Sequence, residues 1–405
     1  MTKQIQDAYI VAATRLPVGK KGGAFNTTRP DDLLVGAIQA VMAQAPEIDP
    51  ALINDVIVGC AMPEAEQGMN MARMAVLLAG LPDTVPGITI NRFCSSGVQA
   101  VADAAAKIRL GEADVMIAAG AESMSMMHQM MGNKVAINPA IFSNNEHVGI
   151  AYGMGLTAEK VAERWNVSRE DQDAFAMESH RRALAAQEAG HFEAEITPFE
   201  TVSYRPALQD GSVTTQPEVQ QIKRLVTADE GPRADSSIEG LARLRPVFSA
   251  RGSVTAGNSS QMSDGAAAVL LVSEKILKQY NLEPIGRFVS YAVAGVPPEV
   301  MGIGPVAAIP KALAQAGMTQ DQLDWIELNE AFAAQALAVS RDLDLDPSKV
   351  NPLGGAIALG HPLGATGAIR TATVLHGLRR TGGKYGMVTM CIGTGMGAAG
   401  IFEAL

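Results

Sequence analysis

Two cysteines and one histidine stand where side chains are free to react. Cys94 lies in Asn91-Arg92-Phe93-Cys94-Ser95-Ser96-Gly97, His361 in Gly360-His361-Pro362, and Cys391 heads Cys391-Ile392-Gly393-Thr394-Gly395-Met396-Gly397. Each is flanked by glycine, proline or serine, which favour tight turns. Two thiols and an imidazole suit covalent acyl transfer. One thiol attacks a carbonyl, the imidazole takes its proton, and the second thiol moves a different proton. That last need is the mark of carbon–carbon bond chemistry, because an acylated nucleophile cannot also serve as the base.

Cys94 is expected between a strand and a helix. There the positive end of the helix dipole lowers a thiol's pKa and favours thiolate, with Ser95 or Ser96 as the helix cap. A buried small hydrophobe is the plainer reading of the same residue. His361 stands out among six histidines. The others (His128, His147, His180, His191, His376) have ordinary helical or loop surroundings, whereas His361 ends the run Gly354 to Gly360, which reads as a tight loop and not a regular helix. A structural turn histidine is the alternative. The glycines after Cys391, Gly393 first, can present bare backbone N–H groups to a substrate oxygen. Asn329 closes a strand, where α/β folds bind ligands; a helix cap is its other reading.

Other patterns fall away. Gly395-Met396-Gly397-Ala398-Ala399-Gly400 has the spacing of a dinucleotide loop, but five residues remain after it, too few for the helix and strand such a unit needs. Gly19-Lys20-Lys21 lacks the hydroxyl of a phosphate loop. Cys60, His361 and Cys391 lack close ligand spacing, so no metal is expected.

The elements that must position these residues alternate. Ala8–Ala13, Asp55–Cys60 and Asp114–Gly120 read as buried strands, with helices over 31–45 and from Ser95 or Ser96 to Gly111. A second series follows: strands at 286–293, 324–330 and 386–391, helices at 305–317 and after Gly364. Alternation of this kind predicts a parallel sheet covered on both faces. Cys94-Ser95-Ser96-Gly97 aligns with Gly364-Ala365-Thr366-Gly367, 270 positions on, and Val56 aligns with Ile326 at the same offset. The chain therefore reads as a duplicated βαβ-rich fold. The expected division is residues 1–121 with 249–277 as one half and 278–405 as the other. A polar insertion, 122–248, covers the site. It holds one long helix from Ser168 to Ala189 and an irregular run from Thr201 to Gln220. Met124, Met126, Met127, Met130 and Met131 fit a subunit contact, an adaptable acyl pocket or ordinary core.

The chain has 405 residues, 47% of them hydrophobic and 18% charged, enough to bury a large core. A net charge of −10 argues against a general nucleic-acid surface. No apolar run long enough for a membrane span is present, and three cysteines form no disulfide framework. A reducing, cytoplasmic setting is expected.

Taken with Val254-Thr255-Ala256-Gly257-Asn258-Ser259-Ser260, Asn329-Glu330-Ala331-Phe332 and Gly354 to Gly364, the three reactive motifs resemble those of the thiolases over essentially the whole chain. The resemblance implies an α/β fold of two βαβαβαββ halves in five layers, α-β-α-β-α, with an inserted loop domain. It implies Cys94 as nucleophile, His361 as its activator and Cys391 as acid and base at the substrate α-carbon. Asn329, through a water, would share one oxyanion site with His361; the N–H groups of Cys94 and Gly393 would form another. Coenzyme A contacts carry over to Arg233, Ser260 and Met154, with no tightly bound cofactor and CoA or acyl-CoA as substrate. A homodimer or dimer of dimers is implied, with a β-oxidation multienzyme partner as a further expectation. Gly153-Met154-Gly155 stands where acetoacetyl-forming members carry His-Met-Gly, which leans toward cleavage of 3-ketoacyl-CoA. Acetyl-CoA acetyltransferase is the alternative activity, and a non-catalytic acyl-CoA carrier a more distant one.

Overall fold

The computed structural model describes residues 5–127, 138–143, 145, 148–209, 212–213 and 219–405. Met130, Met131, His128 and His147 lie outside them, as does the side chain of Met127. The first half runs β1 (Ala8–Arg15), β2 (Gly19–Lys20), α1 (Pro30–Ala43), β3 (Asp55–Gly59), α2 (Met71–Leu78), β4 (Gly87–Ile90), α3 (Ser96–Arg109) and β5 (Val115–Ser123). An insertion follows: α4 (Met124–Met127), α5 (Met154–Arg164), α6 (Arg169–Glu188), β6 (Phe199–Pro206), β7 (Leu208–Gln209), β8 (Ser212–Val213), β9 (Val219–Val226) and α7 (Ile238–Ala242). The chain returns through β10 (Ser263–Ser273) and α8 (Glu274–Gln279). The second half is β11 (Gly286–Gly295), α9 (Gly304–Ala316), β12 (Trp325–Leu328), α10 (Ala333–Asp342), α11 (Ala356–Leu359), α12 (Leu363–Thr381), β13 (Tyr385–Ile392) and β14 (Met396–Ala404).

The strands order as β12-β13-β14-β11-β1-β10-β5-β3-β4, with β2 paired to β10. The sheet is mixed, not parallel as the alternation predicted. β3 pairs in parallel with β4 and β5, and β12 with β13. The strands between them, β5, β10, β1, β11, β14 and β13, are joined antiparallel. The expectation failed because β10 and β14 close each half without a crossover helix, and alternation cannot reveal that. β5 and β10 are buried along their whole length, so their near-continuous apolar sequences arise from helices on both faces, whatever the strand direction.

The duplication is visible in register. Val56 of β3 faces Ile117 of β5, and Ile326 of β12 faces Met387 of β13; each pair lies 270 positions from the other. Helices α3 and α12 form the layer between the half-sheets and pack on each other, with α1 and α2 outside one sheet and α9 outside the other. They cross at the two glycines the offset equates. A Cβ on Gly97 would stand 2.6 Å from the Ala368 nitrogen, and one on Gly367 would stand 2.1 Å from that of Val98. Bare backbone at both positions lets the two copies meet face to face, which brings the N-terminal ends of both helices together.

In the insertion, Ser168 caps α6 by accepting the Asp171 N–H at 3.0 Å, and Gly190, at φ +68°, ends it. The run from Thr201 is not irregular. β6 and β9 pair antiparallel from Phe199↔Val226 to Pro206↔Val219. Its exposed, charged faces obscured the strand pattern.

Candidate active site

Cys94 sits in a single 3-10 turn, Phe93–Ser95, between β4 and α3. Phe93 has φ +45°, in the left-handed region that non-glycine residues avoid. Ser95 stands at the N-cap of α3, as expected, but makes no side-chain cap hydrogen bond. The Ser96 hydroxyl accepts the Arg92 N–H at 2.8 Å and donates to the Phe93 carbonyl at 2.7 Å, and Ser95 donates to the Arg92 carbonyl at 3.2 Å. Both hydroxyls thus tie the strained turn to itself, because the chain enters the helix already curled and not from an extended residue.

The turn packs against α12 and the end of β13. Cys391, fully buried, lies one residue before the end of that strand, among Ala158, Val254, Met301, Ala331 and Phe332. The β13–β14 hairpin then turns at Gly393-Thr394-Gly395, with Thr394 at φ +66° and Gly395 at φ +91°. This turn sets Gly393 beside the Cys94 turn, where a Cβ on it would stand 3.6 Å from the Phe93 ring, and the Gly393 and Cys94 N–H groups both favour the thiolate form of Cys94. The two sulfurs are close enough that charge on Cys94 raises the pKa of Cys391.

The charge state of Cys94 departs from the helix-dipole reading. Burial pushes its thiol up to about 12, the Gly393 and Cys94 N–H groups pull the other way, and the Glu122 carboxylate adds to the rise. Desolvation outweighs the helix end here. Cys391 is likewise driven upward, by burial first. At rest both cysteines are thiols.

His361 comes from the opposite half. A one-turn helix, α11, precedes it, a feature the glycine-rich run concealed. Gly360, at φ +92°, then reverses the chain. A Cβ there would stand 2.3 Å from the Ser263 hydroxyl oxygen. The His361 N–H reaches the Gln261 carbonyl at 3.1 Å and Ser263 Oγ at 3.2 Å. The ring is buried; Nδ1 is 2.7 Å from Thr366 Oγ1 and Nε2 is 3.4 Å from Asn329 Nδ2. Burial, helped by Arg370, lowers its pKa to about 3. Asn329 follows β12 and does not cap α10, whose N-cap is Phe332. Its Oδ1 is buried with no partner among the described residues, so the amide retains an acceptor at the site.

Two buried carboxylates that the sequence reading passed over hold these loops. Glu122, at the end of β5, accepts N–H groups from Ala61 at 2.8 Å, Gly364 at 2.9 Å and Gln67 Nε2 at 2.6 Å. It thereby joins the loop after β3 to the start of α12. Glu330 accepts from Ser179 Oγ at 2.7 Å, Asn351 Nδ2 at 2.9 Å and the Ile357 N–H at 3.2 Å. It anchors the segment leading to His361. Thr366 was also missed, although the 270-residue offset pairs it with Ser96; the Ser96 hydroxyl bonds the backbone of its own turn, whereas that of Thr366 bonds the His361 ring.

The residues expected to meet coenzyme A do not all line one cavity. Arg233, exposed and paired with Asp235 at 3.0 Å, lines a cavity of about 930 Å³ with His180, Gly257, Gln261 and Ile357. Ser260 precedes Gln261 and donates its N–H to the Ala331 carbonyl at 2.9 Å. The Met154 sulfur lies 3.9 Å from where a Gly393 Cβ would be. On β9, Lys223 pairs with Glu200 and Arg224 with Glu230.

The Cys94 turn therefore packs against the end of β13, where Cys391 and Gly393 lie, and the side chains of His361 and Asn329 meet each other. These residues are the equipment of an acyltransferase that forms or breaks a carbon–carbon bond. The family models for the thiolase N-terminal and C-terminal domains match residues 8–275 and 282–404, and the chain belongs to the thiolase family. It is 50% identical over 400 residues to a 3-ketoacyl-CoA thiolase of Bacillus subtilis (strain 168), covering 98% of this chain and 100% of that protein. It is 46% identical over 399 residues to a human peroxisomal 3-ketoacyl-CoA thiolase, covering 98% and 91%. Among solved structures, a Bacillus anthracis acetyl-CoA acetyltransferase superposes with TM-score 0.87 at 38% identity, covering 100% of both chains. The human mitochondrial 3-ketoacyl-CoA thiolase gives 0.86 at 38%, covering 99% of both.

Proposed function

We propose that this chain cleaves 3-ketoacyl-CoA with free CoA to acetyl-CoA and a shortened acyl-CoA, as in fatty-acid β-oxidation. The carrying observation is the packing of the Cys94 turn against the end of β13, which holds Cys391 and is followed by Gly393. His361 Nε2 takes the Cys94 proton as the sulfur attacks the 3-keto carbon. The N–H groups of Cys94 and Gly393 hold the oxyanion. The C2–C3 bond breaks, and the acetyl-CoA carbanion takes its proton from Cys391, while His361 and Asn329 polarise the thioester oxygen. Free CoA then gives its thiol proton to Cys391 and attacks the acyl-enzyme, and Cys94 leaves with the proton held on His361.

CoA lies along Met154, Ser260 and Arg233, in line with the cavity at Arg233. No tightly bound cofactor and no metal takes part. Condensation of acetyl-CoA uses the same groups in reverse, and the likeness to an acetyl-CoA acetyltransferase keeps it as the second reading. Thiolysis rates across 3-ketoacyl-CoA chain lengths separate the two. Turnover of medium or long chains at or above the acetoacetyl-CoA rate is expected; activity confined to acetoacetyl-CoA would favour the second, and no thiolysis at all would sink both.

The protein acts as a homodimer. β4 ends the sheet, no described strand pairs with its outer edge, and Ile88 on it is 47% exposed. Met69 beside α2 and Leu77 and Leu78 within it are exposed next to that edge. Two copies pairing β4 to β4 about a two-fold axis would cover both edges. Sedimentation at micromolar concentration is expected to give a dimer and Ile88→Lys a monomer; a monomeric unaltered chain would remove the idea. Pairing of such dimers into a tetramer and docking to a multienzyme partner are compatible with this edge but not required by it. We place the protein in the cytoplasm, where its three free cysteines stay reduced, although several relatives are named as peroxisomal. Among the described residues no helix is long and apolar enough to cross a membrane.

A further inference from the structure

We propose that Thr366 is the positioning residue that sets His361 in its Nδ1–H tautomer, so that the lone pair of Nε2 is the one offered to the Cys94 proton. The inference rests on the proposed thiolysis, in which Nε2 is the base. The Thr366 hydroxyl stands 2.7 Å from Nδ1, while the neighbour of Nε2 is the Asn329 amide nitrogen at 3.4 Å. With the Asn329 amide nitrogen facing Nε2, the pairing consistent with that orientation has Nε2 accepting and Nδ1 carrying the hydrogen toward Thr366 Oγ1. Thr366 is itself rigid: it lies in the first turn of α12, 1% exposed, beside the crossing with α3.

The choice of hydroxyl has a consequence. In a nucleophile–base–orienter arrangement a carboxylate behind the ring stabilises imidazolium. Here the orienter is neutral. The charged groups on elements packed nearby are Arg370 on α12, Glu122 on β5 and Glu330 after β12. Arg370 opposes imidazolium directly, and Glu122 opposes thiolate at Cys94. The resting pair is therefore thiol and imidazole, and charge separates only when a thioester occupies the site.

Thr366→Val keeps the side-chain shape and removes the hydroxyl; Thr366→Ser keeps the hydroxyl. Acylation of Cys94 by acyl-CoA, followed by mass spectrometry on rapidly quenched samples, is expected to slow roughly 10²-fold in the valine variant, the cost of a misplaced catalytic group, and to recover in the serine variant. Nitrogen NMR of histidine-labelled protein, with the His361 signals identified by their loss in His361→Asn, is expected to show a protonated Nδ1 and a bare Nε2 at neutral pH. Valine acylating at the unaltered rate, serine as slow as valine, or a protonated Nε2 in the unaltered protein would each overturn the assignment. If the valine variant does not fold, the serine rate and the NMR tautomer still decide. The NMR result does not depend on turnover, so failure of the thiolase reading appears separately, as an unaltered chain that cleaves no 3-ketoacyl-CoA.

Discussion

Cys94→Ala is expected to end acyl-enzyme formation and lower thiolysis by about 10⁴–10⁶-fold, the scale on which removal of a covalent nucleophile is felt. That corresponds to about 5–8 kcal/mol of transition-state stabilisation. The loss should be chemical and not structural. Cys94 is only half-buried, and its turn is held by the Ser95 and Ser96 hydroxyls and not by the thiol. Melting temperature should therefore change little. Intact-mass measurement after incubation with acetyl-CoA decides the matter: an acetyl adduct on the alanine variant would refute the assignment. The same variant is the blank for alkylation of the unaltered protein. With the Cys94 thiol pushed up to about 12, thiolate is scarce at neutral pH and grows tenfold per pH unit. Alkylation by iodoacetamide should climb steadily through the neutral range; a rate already flat near pH 7 would contradict the raised pKa.

Cys391→Ala separates the two thiols. The variant should still take an acyl group from acyl-CoA onto Cys94, because the Gly393 N–H comes from the backbone and survives the change. Cleavage of 3-ketoacyl-CoA should fall by about 10²–10⁴-fold, the usual contribution of a positioned proton-transfer group. Cys391 lies in an apolar cluster with Val254, Met301 and Phe332, so truncation also leaves a small void, costing about 1 kcal/mol of stability. A readout of acyl exchange between CoA and acyl-CoA beside thiolysis distinguishes the effects: misfolding lowers both, loss of the base lowers thiolysis far more. Thiolysis at the unaltered rate would remove the role given to Cys391.

The candidate residues could be singled out before any coordinates, because glycine, proline or serine stands near each of them. The repeat was legible as well, since an offset of 270 residues recurs in strand and helix alike and reappears as identical strand register at Val56↔Ile117 and Ile326↔Met387. Glu122, Glu330 and Thr366 were not. Their importance comes from partners 55, 21 and 5 positions away or more, and a lone acid or hydroxyl in an apolar stretch carries no mark of what it will bind.

Composition, turn chemistry and the repeat are properties of neighbouring residues, so the chain order alone was enough to single out Cys94, His361 and Cys391 as candidates and to propose a division into halves. The direction of the strands, the placement of Gly97 against Gly367, and above all the protonation of the site belong to the folded whole. A helix end promised a thiolate at Cys94; enclosure by α12, β13 and the Glu122 carboxylate made it a thiol. Desolvation depends on everything that surrounds a group, and no stretch of sequence contains its own surroundings.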